Sequence, residues 1–131
     1  MARNKPSNIM SGGLIDNTEL KDYSETKTSP SSAAGVLILD ISLGNVFEVT
    51  LTENVTTLTL SNPASSGKSC SFTLILTQDN PARTISWPAS VKWNLGTAPT
   101  ITTVSAIYIL TFVTIDEGTI WYGFLSGSEM S

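Results

Sequence analysis

The strongest constraint on the fold is a short alternation of apolar and polar side chains that recurs along most of the chain. The run "SCSFTLILTQ", residues 69–78, places Phe72, Leu74 and Leu76 on one face of an extended segment. Successive side chains of a strand point to opposite sides, so this period of two is typical of a strand with one buried face. No segment keeps the period of a helix over about ten residues. The pattern predicts an all-β fold.

The same alternation appears in two other long runs. The alternation predicts that Phe47, Val49 and Leu51 share one face in "NVFEVTLT". In "AIYILTFVT", Tyr108, Leu110 and Phe112 are predicted to face opposite to Ile107, Ile109 and Val113. The repeated threonines suit the pleated outward faces of strands.

Turn-forming residues separate the strand-like runs at intervals of about ten residues. The clearest turn segments are "LGN", "NPASSGK", "DNPA", "NLGTAP" and "DEG". Gly, Pro, Asn and Asp adopt turn conformations readily, and Pro88 separates the short runs "RTISWP" and "SVKW" because a central strand does not tolerate proline. Together these signals predict an antiparallel β-sandwich or barrel-like domain of roughly seven to nine short strands.

The chain divides near residue 34 into an extended N-terminal arm with a linker (1–34) and the β-domain (35–131). The first part has no sustained period, and "SPSSAAG" at its end is typical of a linker. Its isolated apolar residues are Ile9, Met10, Leu14, Ile15, Leu20 and Tyr23. One interpretation is a disordered tail. We favour an arm that becomes ordered on a neighbouring subunit, with those six residues as partner-binding anchors, because a solvating tail rarely carries spaced Leu, Ile and Tyr.

Charge and composition narrow the class of partner. Seven basic residues against eleven acidic ones leave a net charge of −4, and the basic residues are scattered. A nucleic-acid binder needs a basic stripe to neutralise phosphates, so we expect no nucleic-acid partner and no electrostatic membrane contact. No run approaches the roughly 18 apolar residues of a membrane helix. The start, "MARNKPSNIM", has no apolar run after its basic residues, so we expect no ordinary signal peptide.

The reactive residue types are almost absent. The chain has no histidine and a single cysteine, Cys70, which excludes Ser-His-Asp and Cys-His catalysis and an ordinary zinc site. The neighbours Lys68 and Ser69 lie at a loop-to-strand junction, and Asp116 and Glu117 lie in a turn, so neither pair indicates a catalytic or calcium site. We therefore predict no catalytic residue, no metal and no cofactor. The lack of disulfides fits synthesis in a reducing host cytoplasm.

The aromatic residues leave two interpretations open. Trp87, Trp93, Trp121, Tyr108 and Tyr122 would suit a sugar-stacking platform, or they would fill a small β-core and its rim. We favour the core.

Residues 36–127 carry a chain of motifs that resembles a known β-module. These motifs are "NVFEVTLT", "SNP", "FTLILTQD", "WPASVKW", "GTAP", "ILTF" and "WYGF", and "LKDYSET" resembles the segment that often precedes the module. The module is found repeatedly in virion proteins of tailed bacteriophages. The turns in "TENVTTLTL" and "TIDEGTIWYG" depart from the module's usual pattern. Because both departures lie in turns, we expect them to change the fold little.

The resemblance implies a structural component of the virion and no enzyme. A short arm with one compact β-domain is similar to a capsid decoration, or cement, protein. Such proteins are typically homotrimers on the capsid surface, and their partners are the major capsid protein and copies of themselves. The alternative is a tail-fibre, head-fibre or tail-tip component that contacts a host glycan. A binding module or enzyme acting away from the particle is the third reading.

Overall fold

The computed structural model describes residues 13–131 and contains eight strands with almost no helix, so the all-β prediction is confirmed. The strands are β1 (Lys27–Thr28), β2 (Val36–Asp40), β3 (Val46–Thr50), β4 (Thr57–Ser61), β5 (Cys70–Thr77), β6 (Val91–Trp93), β7 (Ile107–Thr114) and β8 (Trp121–Met130). Single turns of 3-10 helix at Ile41–Leu43 and Asn94–Gly96 follow β2 and β6. Among the described residues, no helix has the length and apolar character needed to cross a membrane.

The strands form one sheet of six in the order β1-β3-β5-β7-β8-β6 and one of two, β2-β4. The prediction of an antiparallel arrangement is wrong, because both sheets contain parallel pairs. Only β5–β7 and β7–β8 are antiparallel, whereas β1–β3, β3–β5, β6–β8 and β2–β4 are parallel. From β2 to β5 the chain alternates between the two sheets. As a result β2 becomes the neighbour of β4, β3 becomes the neighbour of β5, and both pairs are parallel.

The two sheets contribute to one hydrophobic core. Its buried members are Leu37, Leu39, Phe47, Val49, Leu51, Val55, Leu58, Phe72, Leu74, Leu76, Val91, Ile101, Tyr108, Leu110, Phe112 and Trp121. Three sets of residues predicted to share a face are all among them: Phe47, Val49 and Leu51; Phe72, Leu74 and Leu76; and Tyr108, Leu110 and Phe112. Burial of each large apolar side chain stabilises the fold by about 1.5–3 kcal/mol relative to exposure.

Phe72 occupies the centre of the aromatic part of this core. Its ring stacks on Phe112 at 4.8 Å, and Phe47 and Trp121 meet it edge-on at 5.4 and 5.3 Å. Such edge-on and offset arrangements are the favourable geometries for aromatic pairs. The core interpretation is thus confirmed for Trp121 and for Tyr108, both of which are buried.

Gln78 is a buried polar residue that joins three segments directly after β5. Its side-chain amide nitrogen donates to the carbonyls of Arg83 and Ile101, and its amide oxygen accepts from the backbone N–H groups of Asp79 (3.0 Å) and Arg83 (2.8 Å). All four hydrogen-bonding positions of the amide are therefore occupied. The residue closes the 79–83 turn and ties it to the loop before β7.

The predicted hairpin turn at Asp116–Gly118 is present between β7 and β8. The buried Thr114 hydroxyl donates to a carboxylate oxygen of Asp116 at 2.9 Å and accepts from the N–H of Gly118 at 3.0 Å. The same Asp116 oxygen accepts from the N–H of Ile120 at 3.0 Å. The position of this acidic residue is explained by the hydrogen bonds of the turn itself.

Candidate functional site

Four of the six predicted anchors lie within the described part of the arm, and all four are exposed. Leu14 is 80% exposed, Ile15 54%, Leu20 66% and Tyr23 67%. None belongs to the hydrophobic core of the body. Ile9 and Met10 lie outside the described residues. The apolar side chains of residues 13–25 thus present a surface that the body does not cover.

The arm joins the body through β1, which is an edge strand of the six-stranded sheet. Lys27 and Thr28, which the sequence assigns to the arm, pair in parallel with Val46 and Phe47 of β3. Just before β1, the carbonyl of Thr26 accepts from the N–H of Asn45 at 2.9 Å. These bonds fix the point at which the arm leaves the sheet.

Gly44 makes room for this junction. A Cβ atom at Gly44 would lie 2.7 Å from the carbonyl oxygen of Thr26, closer than real Cβ atoms approach backbone. Its φ of 174° is ordinary extended backbone, so space rather than conformation requires glycine here. Any side chain at residue 44 would push the base of the arm away from β3.

The arm is acidic as well as apolar. Asp16, Glu19, Asp22 and Glu25 are exposed, and Lys21 is the single basic residue between positions 13 and 26. An extended segment with spaced apolar residues and a negative charge suits a partner surface that offers apolar pockets beside basic side chains.

A second exposed surface lies on the side of the six-stranded sheet that faces away from the core. We call it the outer face. The side chains that the strand registers place on it are Val46, Glu48 and Thr50 of β3, Ser71, Thr73, Ile75 and Thr77 of β5, Ile107, Ile109, Thr111 and Val113 of β7, Tyr122, Phe124 and Met130 of β8, and Lys92 of β6. All of them are half-buried or exposed. The second sheet does not cover this face, because both of its strands contribute their buried side chains to the core on the opposite side.

A cleft lies beside the free edge of β8, where β6 ends. Its volume is about 530 Å³, and its lining includes Trp93, Asn94, Tyr122 and Phe124. β6 pairs with β8 only as far as Gly123, so the backbone of β8 beyond that residue has no strand on this side. Aromatic side chains next to polar groups are typical of small-molecule and sugar sites.

Two of the tryptophans in the platform hypothesis lie at the rim of the core, near this cleft. Trp87 and Trp93 are half-buried, meet edge-on at 5.1 Å, and pack against Phe112 at 5.9 and 5.7 Å. The ring of Trp93 lies directly over Gly123, where a Cβ would approach it to 2.8 Å. These contacts hold Trp93 in place and leave Tyr122 as the aromatic residue of the platform set that is largely free on the surface.

The acidic side chains of the body are separated from one another. Within residues 13–131 no three His, Cys, Asp or Glu side chains come close enough to hold a metal ion. Asp40 accepts hydrogen bonds from the hydroxyl of Ser42 and from the side-chain amide of Asn62, which together lower the pKa of its carboxyl. The guanidinium of Arg83, 2.9 Å away, is the main cause of the lowered pKa of Asp79. The carboxylate of Asp40 thus joins the segment after β2 to the loop after β4, whereas that of Asp79 holds its own turn together.

Comparison with known proteins found no matching family model, no matching curated protein and no matching solved structure.

The sequence predicted the arm anchors, but it did not predict the outer face. A signal was present in β7, where Ile107, Ile109 and Val113 alternate with inward positions that are also apolar. A strand that is apolar on both faces is typical of a sheet covered on both sides. The cleft had no comparable signal, since Asn94 and Phe124 are distant in sequence.

Proposed function

We propose that the protein is a non-catalytic structural component of a tailed-bacteriophage virion, and specifically a capsid decoration protein that stabilises the assembled shell through its arm and through self-association. The observation that carries the proposal is the arm, whose four large apolar side chains are exposed while it remains hydrogen-bonded to the body at β1. The chain of motifs between residues 36 and 127 supports the assignment to a phage particle.

The physical argument rests on how such an arm binds. An extended segment loses conformational entropy when it becomes ordered, so one arm with a few apolar anchors binds weakly. Copies held together by their bodies engage several arms at once, and the effective concentration of the second and third arms multiplies the affinity. A homotrimer on the shell, with its arms over neighbouring capsid subunits, uses this effect.

The body suits the role of a rigid support. We regard the two sheets and their shared core as a sandwich-like arrangement. Within the described residues no buried side-chain nitrogen or oxygen lacks a hydrogen-bond partner. Complete satisfaction of buried polar groups favours one well-defined packing of the body.

The experiment is a particle-binding assay with purified shells that lack this protein, together with an electron-microscopy count of copies per particle. The test variant carries Leu14→Ser and Leu20→Ser in the arm. The matched control carries Leu43→Ser and Leu95→Ser, which remove two exposed leucines from the body. We expect copies spread over the whole shell, binding lost or weakened at least about tenfold by the arm variant, and normal binding by the control. Equal binding by both variants would refute the role of the arm.

A second candidate function is supported by the cleft beside β8. An appendage protein at the tail or at one vertex would use Tyr122, Phe124 and Asn94 to contact a host glycan. A sugar ring can stack on an aromatic side chain only if that side chain is accessible, and Tyr122 and Phe124 are both about half exposed. A handful of copies at the tail or at a vertex, with glycan binding lost in Asn94→Ala, would favour this function over decoration.

A further inference from the structure

We propose that the outer face of the six-stranded sheet is the surface through which copies of this chain pack against one another. The inference deepens the proposed function, since it rests on the self-association included there and assigns it to a particular surface. Four lines of argument support it: the composition of the face, its size, its distribution of charge, and the place where the arm leaves it.

The composition of the outer face departs from that of a sheet face in contact with water. A solvated face of a sheet carries mainly polar and charged side chains. At the centre of this one, Ile75 of β5 lies directly across from Ile109 of β7. Val113 and Phe124 continue the apolar surface toward β8, and the positions between them are occupied by uncharged Thr and Ser. Ile75 and Ile109 lie on one side of the paired Thr73 and Thr111, and Val113 lies on the other. Apolar groups on a sheet face that is not covered mark interaction surfaces.

Met130 extends the apolar surface over the irregular part of β8. The register of β8 shifts between its pairings with Ile107 and Ile109, and Gly127 lies opposite Ile109. A Cβ on Gly127 would meet the sulfur of Met130 at 2.9 Å, so the absence of a side chain there lets Met130 fold back onto the face. The flexible thioether of methionine adapts to irregular apolar contacts.

The outer face is large enough for a stable contact between copies. β5 and β7 each have eight residues, and at about 3.3 Å per residue they are about 26 Å long. The four strands β3, β5, β7 and β8, at about 4.8 Å each, add up to about 19 Å of width. The flat area is therefore about 500 Å² per copy, and two facing copies reach the ~1,000 Å² expected of a specific interface before the relief of the side chains is included.

The distribution of charge favours a second copy of this chain over a charged partner. The charged side chains that the register places on the face are Lys27 and Glu48, paired with each other at 3.4 Å on the β1–β3 edge, and Lys92 on the β6 edge. The central strands β5 and β7 contribute none of their own, and the charge nearest to them is Glu25 of the arm, beside Thr73 and Thr111. Interfaces between identical subunits have an apolar core and a polar rim, which matches a face whose strand charges lie at its edges.

The position of the arm is consistent with this arrangement. Glu25, the last acidic residue before β1, lies beside Thr73 and Thr111 of the outer face, where the three line a small depression. Copies that meet through this face therefore bring the starting points of their arms to the same interface. The arms then leave the assembly together, as the avidity argument requires.

The experiment compares two lysine substitutions of equally exposed residues on different sheets. Phe124→Lys changes the outer face, and Ile38→Lys changes the outward side of the two-stranded sheet; both native side chains are 52% exposed. The mass of the full-length protein in solution is measured by sedimentation over a range of concentrations, without phage particles. We expect the wild type and Ile38→Lys to have a multiple of the chain mass, and the self-association of Phe124→Lys to be weakened by at least about tenfold.

A second variant covers the case in which Phe124→Lys fails to fold. The double change Ile75→Thr and Ile109→Thr removes the apolar centre but keeps β-branched side chains that suit a strand. Circular dichroism confirms the fold, and we expect this variant also to dissociate. A folded double variant that retains the wild-type mass, or a wild type that is a monomer at every concentration, would overturn the proposal.

The outcomes separate this inference from the proposed function. A wild-type oligomer that dissociates in Phe124→Lys but does not bind shells supports the interface and refutes decoration. An oligomer that binds shells and is unaffected by either outer-face variant supports decoration and refutes this interface.

Discussion

The two faces of the six-stranded sheet are built from the same strands and are nearly equally apolar along β7, yet only one of them is covered by a second sheet. On the inner face, Leu74 and Leu110 lie opposite each other and are fully buried by the second sheet and the loops. On the outer face, the neighbouring pair Ile75 and Ile109 is only half-buried. The difference shows that hydrophobic character alone does not place a residue in the core. A residue is buried only where a second layer of the chain covers its face of the sheet.

The largest expected effect is a loss of stability when a side chain on the inner face is truncated, compared with truncation of its neighbour on the outer face. Leu74→Ala should lower the free energy of unfolding by about 2–5 kcal/mol, because it removes a fully buried side chain and leaves a cavity. The adjacent Ile75→Ala, measured on the dissociated chain in dilute solution, should cost less than about 1 kcal/mol. Urea unfolding of both variants measures the contrast, and equal losses would contradict the distinction between the faces.

The next largest effect is expected from substitution of Gln78, whose side-chain amide is buried. Gln78→Leu leaves two backbone N–H groups and two carbonyls without their side-chain partner. We expect a loss of about 1–3 kcal/mol in the free energy of unfolding, since buried polar groups without partners are costly. Gln78→Glu is the matched variant, since it keeps the two acceptor contacts and loses the donors; both changes are measured by urea unfolding. A loss below that of Ile75→Ala would contradict the structural role of Gln78.

Acid sensitivity should reside at the ends of strands and not on either face. Hydrogen bonds lower the pKa of Asp40 and of Asp79 from the ordinary value of 3.8. A lowered pKa in the folded state means that the stability contribution is complete above 3.8 and is lost as pH falls through the lower folded values.

We therefore expect the urea midpoint to be steady from neutral pH to about 5 and to fall below about 4. The double change Asp40→Asn and Asp79→Asn should lower the midpoint slightly at neutral pH and make its decline in acid shallower. An unchanged acid profile in this variant would place the sensitivity elsewhere.

The smallest effect is expected at the rim of the outer face. Lys27 and Glu48 form an ion pair at 3.4 Å with both side chains about half exposed. Exposed pairs of this kind contribute about 0–1 kcal/mol, so Glu48→Gln should change the free energy of unfolding by less than about 0.5 kcal/mol. Thermal unfolding at low and high salt measures it, with Glu53→Gln as a comparison, because Glu53 accepts from the N–H of Gly35 at 3.1 Å. A larger loss at Glu48 would show that the pair anchors β1.

Much of the fold was predictable because the decisive pattern is local. The inward positions of β3, β5 and β7 follow from alternation, and each of them is buried in the structure. The turn at Asp116–Gly118 follows from residue type, and its geometry is completed by Thr114, which is near in sequence. Parts that depend on distant segments were not predictable: the run "RTISWP" forms only a single bridge, from Ile85 to Val55, although its residues suit a strand.

The candidate site divides in the same way. The arm anchors could be proposed because apolar residues stand out in a polar segment, and the structure shows that Leu14, Ile15, Leu20 and Tyr23 are exposed. Gly44 could not be identified, because its importance comes from the approach of Thr26 across the β1–β3 pair.

The sequence by itself determined the long strands β3, β5 and β7 and which of their side chains share a face, because the period of two is a property of the extended backbone. Only the tertiary structure decided which strands are neighbours, that most of the pairs are parallel, and that the second sheet covers one face and not the face that carries Ile75, Ile109 and Phe124. The reason is physical: alternation specifies two faces for every strand, but the pairing of strands and the covering of a face depend on contacts between segments far apart in the chain.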